Sequence, residues 1–253
     1  MRPVLAALLS LLLLAASVAP AAAAAGGACA KAALAVAVDA GHGPNVPGAT
    51  SARGVPEYDF NLRLARDVVS ALAAAGFPNA FLLDPKGVDL PPAARAAKAN
   101  AARAGLLLSI HHDAVQPQFL ETWNVEGRTR RYCDRYAGYS LFFSRRNSFA
   151  GQSLALAKGI GRELTAAGLA FTRHHAADLP GERRELVDDA VGVYRYDGLA
   201  VLAGAHMPAV LVEAGVIVNR DEELELSGPQ RRQKTAQAIA RAVAVWCDGE
   251  KGR

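Results

Sequence analysis

The sequence predicts one α/β domain in which a mostly parallel, mixed sheet carries helices on both faces. Three observations predict it. Short apolar runs of strand length, at residues 33–38, 80–83, 106–110 and 209–212, are bounded by glycine, proline or polar residues. Helical patterns lie between them, and strands alternating with helices favour parallel pairing through crossovers. Finally, 253 residues without an internal repeat or linker suit a single sizeable core.

Taken in order, residues 33–38 run into Asp39-Ala-Gly-His-Gly43, so a buried strand ends in a tight glycine loop. Pro56 opens a helix with Phe60, Leu64, Val68 and Leu72 on one face and Gly76 as its stop. Residues 80–83 are a second strand, and the Ala-rich stretch 91–104 is a helix beginning at proline. Residues 106–110 form a third buried strand. Residues 115–137 mix Pro, Gly, Trp and Arg without an amphipathic period, and read as a plain loop or insertion. A strand at 139–143 precedes a helix at 148–167 carrying Leu156, Ile160 and Leu164. Residues 171–198 lack periodicity, and their His174 and His175, like His206 beyond them, read as loop or surface residues. After the strand 209–212, Pro229 opens a closing helix with Ala236, Ile239, Val243 and Trp246 along one stripe.

Composition excludes several classes. A charged fraction of 21% and a hydrophobic fraction of 51% rule against disorder and coiled-coil arrays. The net charge of +4 is mild and no basic block interleaves with aromatics, so nucleic acid is not an expected partner. Arg2 precedes an apolar stretch at 4–18, then Pro20 and small residues at 21–25. That order reads as a signal peptide over residues 1–25, leaving a catalytic domain at 26–253. The apolar stretch is shorter than the roughly 20 residues of a spanning helix, so no stable membrane anchor is expected. Export makes the three cysteines informative: Cys29 and Cys247 sit near opposite ends of the domain and could pin them together. Cys133 would then be unpaired, or be the partner of one of them.

In open α/β sheets, ligands gather outside the carboxyl ends of strands. His42 follows the first strand, His111 closes the third, Glu213 closes the last, and Glu57 starts the helix after the first loop. Two histidines and one carboxylate leave the fourth tetrahedral position for water, the arrangement of catalytic zinc, with Glu213 as the spare carboxylate. A buried carboxylate directly after Val-Leu-Val is costly without such a role or partner. Strand alternation puts Asp113 on the face of His111 and His112 on the other, so Asp113 is a candidate to support or replace a ligand. Asp39 is a candidate to orient His42 through its second ring nitrogen.

Residues 38–43 (Val-Asp-Ala-Gly-His-Gly), Glu57 fifteen residues after His42, Ser109-Ile-His111 with Asp113, and residues 208–215 (Pro-Ala-Val-Leu-Val-Glu-Ala-Gly) with Asn219 resemble the zinc-dependent N-acetylmuramoyl-L-alanine amidases of the type 3 family. The resemblance spans residues 33–247. It implies Zn2+ on His42, Glu57 and His111, Glu213 as the catalytic carboxylate, and peptidoglycan as substrate, cut between N-acetylmuramic acid and L-alanine. Some relatives are blocked by an inserted helix until a protein activator binds, and residues 115–137 are where such an element would sit. No wall-binding repeat is visible, so recruitment would fall to the catalytic domain or a partner. A periplasmic location, rather than a fully extracellular one, and a monomer are the expectations. Rival readings on the same residues are a zinc carboxypeptidase or aminopeptidase of wall peptides, and a non-catalytic peptidoglycan-binding protein. Arg128, Arg130, Arg131 and Arg135 are expected as solvated charge on a positive rim.

Overall fold

A computed structural model describes residues 29–250. The signal-peptide expectation for residues 1–25 lies outside them. In chain order the elements are β1 (Val36–Ala40), α1 (Glu57–Ala74), β2 (Ala80–Leu82), α2 (Pro92–Ala101), β3 (Leu106–Asp113), β4 (Glu121–Val125), β5 (Arg128–Tyr132) and β6 (Ser140–Phe143). Then come α3 (Ala150–Ala166), β7 (Glu185–Asp188), β8 (Val193–Arg195), α4 (Ala200–Ala203), β9 (Ala209–Val216), α5 (Arg220–Ser227) and α6 (Pro229–Glu250).

The main sheet has the order β2-β1-β3-β9-β6-β8-β7. Its first four strands are parallel, β6 runs antiparallel to β9, and β7 antiparallel to β8, so the sheet is mixed as expected. Side-chain alternation on β3 and β9 divides the core in two. Leu106, Leu108, Ile110, Val210 and Val212 point into the larger cluster, against Leu64 and Leu72 of α1, Leu156 and Ile160 of α3, and Ile239 and Val243 of α6. Burying each such side chain stabilises the fold by roughly 1.5–3 kcal/mol. Leu107, Ala209 and Leu211 face the smaller cluster, with Ala99 of α2 and Val201 and Leu202 of α4. Those two short helices cover only part of that face. The next residues along it, Ser109 and His111 on β3 and Glu213 on β9, therefore emerge beside open space.

Cys29 and Cys247 are joined by a disulfide whose Cα atoms are 5.1 Å apart, tying the segment before β1 to the end of α6. Cys133 is free and buried. Two regions differ from the sequence expectation. Residues 115–137 are no plain loop: they contain a short 3-10 turn at Pro117–Phe119 and the antiparallel hairpin β4–β5. The alternation there was hidden because both strands are largely exposed and arginine-rich, giving no apolar period. Trp123 anchors the hairpin by donating from its indole nitrogen to the Ala52 carbonyl at 3.0 Å. Arg128, Arg131 and Arg135 are exposed, whereas Arg130 is half-buried. Residues 171–198, which lack periodicity, supply the edge strands β7 and β8, whose lengths of four and three residues are too short to show a pattern.

Helix α5 was also unmarked in the sequence. Asn219 caps it, its side-chain oxygen accepting from the Asp221 and Glu222 backbone at 3.1 and 2.9 Å. Its amide donates to the carbonyls of Asp134 and Tyr136. Asn219 thus stitches the chain after β9 to the chain after the hairpin.

Candidate metal and catalytic site

The glycine loop after β1, the first turn of α1 and the end of β3 converge on one point. Glu57 is buried, its Oε2 3.1 Å from His42 Nε2 and its Oε1 3.2 Å from His111 Nδ1. Ala49 N–H donates to Oε2 and Asn61 Nδ2 to Oε1, each at 3.0 Å, so the carboxylate is fixed from both sides. Burial by itself would raise the Glu57 pKa, but hydrogen bonds and charge from His111 and His42 outweigh it and hold the group well below the usual carboxylate range. It is therefore an anion between two imidazoles.

The backbone is shaped around this trio. His42 has φ 68°, a left-handed conformation that costs a non-glycine residue energy and is retained here where it aims the ring at Glu57. Gly48 has φ +78°, and a Cβ there would collide with Glu57 Oε2 and His42. A Cβ on Gly41 would run into the His111 ring. The donor atoms of His42, Glu57 and His111 lie within 4.8 Å of one another. Two imidazoles and one carboxylate are the donor set of three-ligand catalytic zinc sites, so these residues fit a zinc ion.

Glu213 sits one strand away, as the register partner of His111. Its Oε2 is buried and has no hydrogen-bond partner among the described residues. Burial first, and then the negative charges of Asp113 and Glu57, raise its pKa well above the ordinary carboxylate value. Beside the trio opens a cavity of about 470 Å³, lined in part by His42, Asp89, Arg95, Ser109, His111 and Leu211.

Asp39 does not take the place expected for it. Its carboxylate accepts from Arg95 Nη1 at 2.7 Å and Ser109 Oγ at 2.9 Å, and not from the His42 ring. The link to His42 runs through Arg95, which also donates to the carbonyls of Ala40, His42 and Leu90. Arg95 escaped sequence reading because an arginine in an Ala-rich helix looks like a solvated residue, yet it is buried. Its one sequence signal is its position in the first turn after Pro91, where a long side chain reaches back over the loop.

Asp113 also departs from expectation. The β3–β9 ladder shifts register between His111 and Asp113, and the Asp113 carboxylate serves a different pair of side chains. His175 Nε2 lies 2.6 Å from its Oδ2 and His174 Nε2 lies 3.3 Å from it. His174 is buried and His175 nearly so, against the loop-or-surface reading; His206 is exposed as expected. No periodicity marked this pair because a 3-10 turn at His174–Ala176 places it. His112, opposite His111 on the strand, is buried with Nδ1 2.8 Å from Asn61 Oδ1, and burial pushes its pKa down to about 3.

Comparison with known proteins finds relatives over most of the chain. A family model described as N-acetylmuramoyl-L-alanine amidase (Amidase_3) matches residues 36–245. The chain is 30% identical over 218 residues to N-acetylmuramoyl-L-alanine amidase AmiC of Neisseria meningitidis serogroup B, an alignment covering 82% of this chain and 51% of that protein. It spans about half the length of the curated relatives it matches, the second being AmiC of Escherichia coli O6:H1, at 54%. Among solved structures, the catalytic domain of CwlV from Bacillus (Paenibacillus) polymyxa superposes with a TM-score of 0.63 at 25% identity, covering 85% of this chain and 98% of that one. The amidase Ami1 of Mycobacterium smegmatis shares the fold with a TM-score of 0.66 at 24% identity, covering 87% and 99%.

Proposed function

This chain belongs to the type 3 N-acetylmuramoyl-L-alanine amidase family, and from that membership we propose that it hydrolyses the amide bond joining N-acetylmuramic acid to the L-alanine of peptidoglycan stem peptides. The single observation carrying the reading is the pairing of His111 with Glu213 across β3 and β9, which sets an unpartnered carboxylate beside the His42–Glu57–His111 trio.

His42, Glu57 and His111 would hold zinc, which when bound supplies Lewis acidity toward water and toward the scissile carbonyl. Glu213 accepts the proton of the attacking water and passes it to the departing L-alanine nitrogen. Burial and neighbouring charge move this carboxyl out of the ordinary carboxylate range toward the pH at which one group can both take and return a proton. Glu57 stays ionised throughout, since both imidazoles favour its anion. Arg95, tied to Asp39 and to the His42 carbonyl, keeps the left-handed loop in place while the ring is engaged.

Residues 1–25 acting as an export signal, with the periplasm as destination, complete the proposal. The Cys29–Cys247 disulfide supports an oxidising compartment. Digestion of purified peptidoglycan tests the activity. Intact stem peptides with a free amino-terminal L-alanine are expected. A single released amino acid would indicate a peptidase, and wall binding without products a non-catalytic binder.

A further inference from the structure

The cluster around Asp113 repeats the chemistry of the first site. Donor atoms of Asp113, His174 and His175 lie within 4.8 Å of one another, as do those of His42, Glu57 and His111. Both imidazoles approach one carboxylate oxygen, at 2.6 and 3.3 Å, through their Nε2 atoms. Their outer nitrogens are held. His174 Nδ1 pairs with Thr172 Oγ1 at 2.9 Å, and His175 Nδ1 faces Glu182 Oε2 at 3.1 Å. Glu182 is itself fixed by Gln116 Nε2 at 3.0 Å. A hydroxyl and a carboxylate on the outer nitrogens orient the inner ones toward a common point, as in metal-ligating histidines.

We propose that Asp113, His174 and His175 form a second divalent-metal site. Two nitrogens and one oxygen select zinc or a similar transition metal over magnesium or calcium, which prefer all-oxygen shells. The rival arrangement is a metal-free ion triad in which a protonated His175 bridges Asp113 and Glu182. That triad leaves His174 Nε2 poorly used: it is buried and 3.3 Å from Asp113 Oδ2, yet makes no well-aligned hydrogen bond among the described residues. It also gives no reason to pack two imidazoles with centroids 4.0 Å apart. An ion shared by both rings accounts for each feature. Asp113, His175 and Glu182 line a cavity of about 180 Å³ together with Arg184, Tyr196 and Glu213, so an ion held there would adjoin the same space as Glu213. The site stands on its own geometry and does not require the amidase reading.

The test is the ion content of the full chain, measured by elemental mass spectrometry after saturation with zinc and gel filtration, with cobalt absorption spectra in parallel. Wild type is expected to hold two ions, His42→Ala one, and His174→Gln one, the two variants showing different cobalt spectra. One ion in wild type that disappears in His42→Ala, or two in His174→Gln, overturns the proposal. Should circular dichroism show His174→Gln unfolded, His42→Ala decides: one retained ion supports the second site, and none removes it. Loss of one ion in His42→Ala without any effect on peptidoglycan cleavage would instead count against the part given to the His42 trio in that cleavage and leave the second site standing.

Discussion

Arg95 is the residue whose loss should be felt most widely. Arg95→Met keeps the aliphatic stem and the helix propensity of α2 while removing the guanidinium. The structure shows what is then left behind. Asp39, with no exposed surface, loses its ion pair and retains only Ser109, and the carbonyls of Ala40, His42 and Leu90 each lose a donor. Removing one partner of a buried ion pair costs about 3–5 kcal/mol. Urea unfolding of the metal-free protein should therefore show a loss in that range. Adding Asp39→Asn should recover part of it, with a coupling of about 1–3 kcal/mol. Because the His42 carbonyl is one of the acceptors, zinc affinity of the folded variant should fall about 10- to 100-fold, as for residues that hold a ligand from behind. A stability loss under about 1 kcal/mol, in the range of an exposed pair, together with unchanged zinc affinity, would refute the role given to Arg95.

Three further outcomes are expected. Gly48→Ala should cost about 1–3 kcal/mol for its left-handed backbone and weaken zinc binding, because the new methyl collides with Glu57 and His42; urea unfolding of the metal-free protein reads the first effect and zinc titration calorimetry the second. Removing the disulfide with Cys29→Ser and Cys247→Ser should lower stability by about 2–5 kcal/mol without changing the ion content. Stability of the metal-free protein should fall on both sides of pH 6.5. For His175, burial is outweighed by the charge and hydrogen bonds of Asp113 and Glu182, and its pKa rises from 6.5 to about 9; the folded state binds a proton the unfolded state has lost, so up to about 3 kcal/mol disappears as pH climbs from 6.5 through 9. His112 has the opposite sign: buried neutral with a pKa of about 3, it lets the unfolded state take up a proton first, so stability drops as pH falls below 6.5. Denaturation midpoints at pH 5, 6.5 and 9.5 check this, and a flat profile would contradict it.

The parts of the molecule built from long apolar elements were legible in the sequence. Strands β1, β3 and β9 announce themselves because they are buried on both faces, and His111 and Glu213, polar residues late in β3 and β9, each line a cavity. Helices α1, α3 and α6 show their stripes because one broad face of the sheet needs covering. What escaped was set by contacts between residues distant in sequence. Arg95 gains its role only when α2 folds back over the glycine loop. His174 and His175 meet Asp113 across sixty residues of chain through a short 3-10 turn, a geometry without a repeating pattern to read. The β4–β5 hairpin is exposed and basic, and a strand that buries little leaves little trace in hydrophobic periodicity.

The central claim divides labour between three residues that hold an ion and a fourth that moves a proton. Ion content and release of stem peptides from peptidoglycan, measured side by side for wild type, Glu213→Gln and His111→Ala, test it most directly. Glu213→Gln should keep the ion of the His42 site while losing at least about 100-fold in rate, whereas His111→Ala should lose that ion and the activity together. Full activity in Glu213→Gln, or undiminished cleavage by His111→Ala without the ion, would contradict the account.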